Sequence, residues 1–409
     1  MPQQLLRTVP PKKPDPDIRR LLKKARKSEA RRQHLVPKFY LKGWADEREL
    51  IRVTDKAFGR DYLKKPEKVA RITDFYTLDS SSTPKELPPL LAETIYAEVE
   101  SQAAPIVGGL LSGSLSELSQ AEIVAITLFL GFQMTRGRTT REQHNESATN
   151  LYKLQFGGLS DDELRRYLIA DGEPLNGDDL KRARQAIDSL MAGDVVVGPE
   201  KAGSISLAMQ SATEAGALLM LRAWIVATSP TPIITSDEPV VLLGSSDRPR
   251  SQRSGVVDAD FIVFPLGKHR ILVMLHPMLA LNSGLKPVYK GGLIHEDHLD
   301  LVEAFQLSRE VAMNCHRWLF ESPTTQIGKN LSIPETAPRM ETEWINVIDQ
   351  MGETADVQRS YGITRWAEVP RGMWPQGRFW PLSYPPAYPP IRRYGYRGSF
   401  KDEFQRWQS

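Results

Sequence analysis

The chain changes its hydrophobic period from helical to strand-like near residue 224, and that change limits what it can fold into. From about residue 90 to 223 apolar residues recur at helical spacing, whereas WIVATSPTPIITSDEPVVLLG (224–244) is a set of β-branched runs broken by prolines. DFIVFPLGKHRILVMLHP (260–277) follows as a hairpin with Gly267 and Lys268 near its turn. A block of helices followed by a block of strands predicts an α+β fold rather than an alternating one. The expected architecture is a helical middle section with a mixed β layer drawn from residues 49–79 and 224–277, and extended basic and aromatic arms at the two ends.

Helices are expected over 90–113, 115–155, 160–172, 176–193 and 204–224. The 115–155 segment opens on a capping-type signal and is nearly apolar through its centre, so it reads as one long helix buried on most faces. ELIRVTDK (49–56) reads as a strand, VARITDFYTLD (69–79) as a second strand or extended segment, and 295–323 as a helix ending in a strand-like RWLF. Residues 16–35 fit a basic helix with Ile18, Leu21, Leu22 and Ala25 as a narrow apolar stripe. The prolines of 373–398 exclude a regular helix or a central strand there. The chain divides on this reading into a basic arm (1–32), a core (33–323) and an extension rich in proline, aromatics and arginine (324–409).

At 409 residues, 41% hydrophobic and 25% charged, the chain has the composition of a soluble globular protein of one large or two ordinary domains. Its apolar runs, IVAITLFLGF (123–132) and ILVML (271–275), fall well short of the roughly 20 residues a membrane span requires. The first residues offer no apolar signal region, so a cytoplasmic location is expected. Cys315 is the sole cysteine, which excludes an intrachain disulfide and a thiolate-clustered metal site. Walker, Gly-x-Gly-x-x-Gly and Gly-x-Ser-x-Gly patterns are absent, which argues against the common P-loop, Rossmann and α/β-hydrolase chemistries.

The net charge of +3 conceals an uneven distribution: residues 1–32 hold 11 Lys/Arg against 3 Asp/Glu, and residues 371–409 hold 7 against 2. The ends are basic and the body acidic. Basic arms can neutralise phosphates in a salt-dependent way, or lie as solvated tails, or fold back on the acidic body.

Several blocks occur in a fixed order: HLVPKFYLKGW, LIRVTDK, VARITDFYTLD, AETIYAEVESQAAPIV, FLGFQMTRGRTTRE, ITSDEPVV and FIVFPLGKHRILVM. Over roughly residues 33–320 this order resembles the bacterial family catalogued as domain of unknown function 4238. The family pattern has a His-x-Val-Pro-x-x-Tyr-Leu opening, a Glu-x6-Glu helix, an arginine after a long apolar helix, and a Thr-Ser-Asp-x-Pro turn before a β hairpin. The chain departs from it in having RGRTT where the family has Arg-Thr-Pro, and in its basic arm and long aromatic tail. The resemblance implies no particular reaction.

The polar residues of these blocks are the candidate site. His34 has the ordinary pKa for a general base or a metal ligand, but Pro37, Phe39, Tyr40, Leu41 and Trp44 around it read as packing. Glu93 and Glu100, seven apart, share a helix face, and Arg136 and Arg138 can partner them, with Gln133 and His144 joining the same face. Such a cluster is either a structural ion-pair network or a pocket for phosphate or metal. Asp237, at a strand end in ITSDEP, is either a turn residue or a ligand and base. The histidines of HEDH (295–298) are i and i+3 and lack zincin spacing, and adjacent Cys315 and His316 diverge on a helix.

Two functions of different classes fit these residues. In one, the protein is a metal-dependent hydrolase, with a nuclease as one form of it: catalytic His34, Glu100 and Asp237, substrate-binding Arg136, Arg138 and Gln133, and a divalent ion of unspecified identity. In the other it is a non-catalytic module that binds nucleic acid or a protein through residues 1–32 and 371–409, whose aromatics and arginines can stack bases and pair phosphates, or wrap the parent domain. No membrane association is expected, and a homo-oligomer is left open.

Overall fold

The computed structural model describes residues 16–29, 31–79, 87–170, 178–244, 255–331, 340–346 and 360–366. The aromatic tail 371–409 and the first part of the basic arm therefore lie outside the described residues. Helix α1 (Pro16–Arg26) lies against α3 (Leu91–Ser112), where Ala25 is buried and Arg20 and Lys24 both reach Glu98. The expected helix over 16–35 ends at Arg26, because residues 32–34 form β1 (Arg32–His34), paired antiparallel with β4 (Arg71–Thr73). That pairing buries Gln33 completely, with Leu35 and Val36 following it into the core. VARITDFYTLD therefore contributes only a three-residue strand.

The helical layer is α3, α4 (Gln120–Thr135), α5 (Arg138–Phe156), α6 (Asp161–Ala170), α7 (Asp179–Ala192) and α8 (Lys201–Met220). A capping box between Ser119 and Glu122 starts α4, as the sequence suggests. The single helix expected over 115–155 does not form: the chain breaks at Arg136 and Gly137, with Gly137 extended as the residue preceding α5. A Cβ at Gly137 would stand 2.7 Å from a carboxylate oxygen of Glu238, which itself accepts the Thr139 amide at 3.0 Å. A carboxylate at the first turn of α5 satisfies an amide that a continuous helix would have paired internally. Gly131 allows α4 and α8 to meet at backbone distance, since a side chain there would run into the Ala212 carbonyl.

The strands form two principal sheets instead of the one layer expected. The first has the order β10 (Ile294–His298), β5 (Ala223–Thr228), β9 (Arg270–Leu275), β8 (Phe261–Gly267) and β7 (Val241–Leu243), with β10 parallel to β5 and the other pairs antiparallel. Successive side chains point to opposite faces, and both faces are buried. Trp224, Val226, Ile262, Phe264, Leu272 and Met274 join the core beneath α3 and α4, whereas Ile225, Ala227, Phe261, Val263, Ile271 and Val273 pack with Phe305, Leu307 and Val311. Those last three belong to α10 (Leu301–Asn314), which follows α9 (Pro277–Asn282) and begins at an Asp300–Glu303 capping box.

The second sheet has the order β3 (Arg60–Lys64), β2 (Ile51–Asp55), β11 (Trp318–Glu321) and β6 (Thr235–Ser236). The early strands thus pair with β11, and the later block reaches them only through β6. Asp55 fixes the register, accepting Arg317 through both oxygens and the Trp318 indole. HEDH is part of β10, not of a helix, so His295 and His298 lie on opposite faces of the strand. Short helices α2 (Lys38–Leu41) and α11 (Ile327–Asn330) complete the core, and β12 (Met340–Asn346) and β13 (Ser360–Trp366) form a separate hairpin. The architecture is α+β. Among the described residues no helix is long and apolar enough to cross a membrane.

Candidate functional site

QHLVPKFYLKGW is first of all an anchor. Val36, Leu41 and Trp44 are fully buried, the Trp44 indole donates to the Ile233 carbonyl at 2.8 Å, and Tyr40 shares a 2.6 Å hydrogen bond with the Thr235 hydroxyl. Tyr40 also stacks on Phe264, 4.7 Å between centroids. The segment therefore ties the β1 end of the chain to the strands that follow α8. His34 stands at its start with Nε2 buried and without a hydrogen-bond partner among the described residues. Burial, then the charge of Arg71, pushes its pKa down to about 4, against a hydrogen bond to the backbone of Glu67. At neutral pH it is an uncharged imidazole beside cations.

Arg136 is the centre of a polar cluster at the end of α4. Its Nη1 lies 2.6 Å from Oε1 of Glu100, and with the Gln133 amide turned so that its oxygen faces the guanidinium, that oxygen accepts Nη2 at 2.7 Å and Nε at 3.1 Å. The Arg136 carbonyl accepts the Tyr76 hydroxyl at 3.1 Å, and its guanidinium lies 5.5 Å from the Tyr96 ring centroid. Gln33 positions this wall by accepting the Tyr76 amide and donating to Thr77. Burial raises Glu93 to about 7, with Arg136 opposing and the Glu100 charge adding to the shift. Glu93, Glu100, Gln133, Arg136 and His34 are thus brought into one electrostatic neighbourhood from β1, α3 and α4.

Beyond Arg136 the broken helix opens a small cleft of about 220 Å³, part of it open to solvent, whose polar lining includes Arg136, Thr140, Arg141, His144 and Ser204, walled by Tyr76 and Tyr96. Of that space only about 10 Å³ is room for a water-sized sphere, about one water, so the cleft takes a single ligand oxygen within it and leaves the rest of a ligand at its open side. Arg141 stacks on Phe75 and donates to the Phe75 carbonyl at 3.0 Å; burial lowers its pKa. No carboxylate lies within ion-pair distance of it among the described residues. Arg138, next to it on α5, has a buried Nε without a partner among those residues.

Asp237 belongs to a different cluster. Its two carboxylate oxygens accept the amides of His316 and Arg317, at 3.0 and 2.9 Å, and its own amide donates to the Trp318 carbonyl at 3.0 Å. Burial raises its pKa against these bonds. Beside it half-buried Glu238, desolvated and next to the Asp237 charge, is raised to about 7. His316 reaches Glu142 at 3.0 Å, and that hydrogen bond raises its pKa. Cys315 is a buried thiol whose pKa burial pushes well up. Asp237 accordingly organises the turn into β11, while Glu238 connects that turn to α5.

The profile of the family described as protein of unknown function (DUF4238) matches residues 32–325, most of the chain. The chain belongs to this family. No curated protein and no solved structure matches it. In this DUF4238 chain the family blocks meet at the two clusters on either side of the α4–α5 break, since Arg136 faces one and Gly137 and Thr139 face the other. Among the described residues no three His, Cys, Asp or Glu side chains gather where one cation would be held. His34, Glu100 and Asp237 do not form a common ligand set.

Arg141, Ser204, Tyr76 and Tyr96 line the cleft, and Glu238 holds the α4–α5 break from the other cluster, without having been singled out in the sequence. Arg141 and His144 had a signal in their three-residue spacing after Arg138, which aligns them on one face of α5. Ser204 had none: it arrives from α8, across the fold.

Proposed function

We propose that the cleft at the α4–α5 break is an anion-binding active site, and that the chain is a hydrolase of small substrates that present a phosphate or carboxylate group. The observation that carries this reading is Arg141, a partly buried guanidinium that lines the cleft without a carboxylate partner among the described residues. A cation withdrawn from water without a counter-charge is costly, and an anionic ligand held by the planar guanidinium fork removes that cost. Arg136, by contrast, is engaged by Glu100 and Gln133 and serves as a buttress. The divalent ion expected from the sequence has no place in this reading, which draws its positive charge from arginine.

Binding of nucleic acid or a protein through the terminal arms is favoured by charge alone. In the described part of the N-terminal arm, Arg20 and Lys24 are turned onto Glu98 of the body. The anion reading is tested by thermal melting in increasing inorganic phosphate. A ligand that binds only the folded state raises the melting temperature by mass action. Wild type should show this rise and Arg141→Ala should not; equal shifts in the two proteins would contradict the reading.

A further inference from the structure

Across the cleft, Oγ of Ser204 lies 3.3 Å from Nδ1 of His144. Ser204 is buried in the first turn of α8, a place where a helical hydroxyl ordinarily turns back onto the carbonyl four residues earlier. Two buried helical threonines of this fold do that, Thr94 to the Leu90 carbonyl at 2.9 Å and Thr127 to that of Ile123 at 2.7 Å, whereas Thr149 of α5 bonds across to the Val197 carbonyl at 2.8 Å. The Ser204 hydroxyl turns to the imidazole instead, and both side chains line the cleft together with Arg136 and Arg141. A nucleophile and a base within reach of each other, beside a cation at the inner end of a cleft that is partly open to solvent, is an arrangement that covalent hydrolysis uses; a spacing slightly longer than a strong hydrogen bond is common before substrate enters.

We propose that Ser204 is the nucleophile and His144 the general base of a phosphoryl transfer, with a phosphate monoester as substrate. The proposal rests on the reading of the cleft as an anion site. A phosphoryl group carries its negative charge on the reacting centre itself, where a guanidinium both binds the substrate and stabilises its transition state. As Oγ attacks phosphorus, its proton passes to Nδ1 of His144. The bond from phosphorus to the ester oxygen then breaks, and the departing alcohol takes the proton from the imidazolium. Water next gives a proton to Nδ1 and attacks the phosphoserine; the phosphorus–Oγ bond breaks and Ser204 recovers its proton. Ester and water become alcohol and phosphate. Burial and the nearby Arg141 charge lower the His144 pKa, so the imidazole is neutral and able to accept at neutral pH.

The full chain is incubated with p-nitrophenyl phosphate, p-nitrophenol release is followed, and acid-quenched samples are mapped by mass spectrometry for phosphoserine. Binding of inorganic phosphate is measured in parallel by calorimetry. The expected result is release by wild type, phosphoserine at Ser204, none of either in Ser204→Ala with phosphate binding retained, and a loss of about 10²–10⁴-fold in His144→Asn. The wild-type rate should fall on the acid side only below the usual histidine range. Phosphate binding by wild type without release or adduct overturns this proposal and leaves the anion reading standing, as does release undiminished in Ser204→Ala. Absence of phosphate binding overturns the anion reading and this proposal with it.

Discussion

The Cζ atom of Arg141 stands 3.7 Å from the centroid of the Phe75 ring, and the same guanidinium donates to the Phe75 carbonyl at 3.0 Å. The contact holds the side chain in place and leaves its charge for a ligand. Arg141→Lys keeps the charge but removes the flat surface that stacks and the fork that binds two oxygens at once. The expected outcome is a loss of about 10-fold in affinity for inorganic phosphate, measured by calorimetry. Equal affinity would mean that only net charge matters at this position.

Glu100 is the counter-charge of Arg136, whose side chain is 2% exposed against 24% for Glu100. Removing the carboxylate leaves a buried guanidinium with Gln133 and the Tyr96 ring as its partners, and no counter-charge in hydrogen-bond contact among the described residues. Glu100→Ala should therefore destabilise the fold by about 3 kcal/mol in urea unfolding. A change within about 0.5 kcal/mol, the range of ordinary surface substitutions, would show that the pair is not a structural requirement.

For Asp237 the expectation is structural as well. Two charge-assisted hydrogen bonds to the amides of His316 and Arg317 end with Asp237→Ala, at a cost of about 3 kcal/mol, while Asp237→Asn keeps one acceptor oxygen and costs less. Asp237→Asn should leave phosphate affinity unchanged, because the carboxylate is turned to the start of β11. Loss of that affinity in a folded Asp237→Asn protein would return Asp237 to the binding site.

Glu238 makes a pH prediction. Its folded pKa of about 7 lies above the ordinary 4.5, so between these values the unfolded chain is ionised while the folded protein retains the proton. The folded state binds more protons, and the contribution of Glu238 to stability falls as pH rises from about 4.5 to about 7. Glu238→Gln removes that dependence. Unfolding free energies measured across this window should show wild type losing stability with rising pH relative to Glu238→Gln; parallel curves would contradict the assignment. His34, lowered to about 4, has the opposite sign: its contribution is lost as pH falls from 6.5 toward 4. The comparison with Glu238→Gln separates the two.

Much of the fold was legible because it rests on periodicity. The five-stranded sheet is buried on both faces, which is why residues 224–228 and 261–275 read as nearly continuous apolar strands, and the capping box at Ser119 marked the start of α4. What was not legible depends on contacts between distant segments. The α4–α5 break is set by Glu238, about a hundred residues away, and the pairing of β2 with β11 by Asp55 and Arg317. Local pattern carries neither. The candidate site follows the same division: Glu100, Gln133 and Arg136 share a helix-end neighbourhood that their spacing suggested, whereas Ser204 reaches the cleft only through the packing of α8 on α4 and α5.

The central claim is that Arg141 and its neighbours hold an oxyanion in the cleft at the α4–α5 break. Crystals of the full chain soaked in selenate, an anomalously scattering analogue of tetrahedral oxyanions, test it most directly. The predicted result is an anomalous peak in the cleft with oxygens within about 3 Å of the Arg141 guanidinium, absent from crystals of Arg141→Ala. Selenate bound elsewhere on the surface, with the cleft empty in wild type, would contradict it.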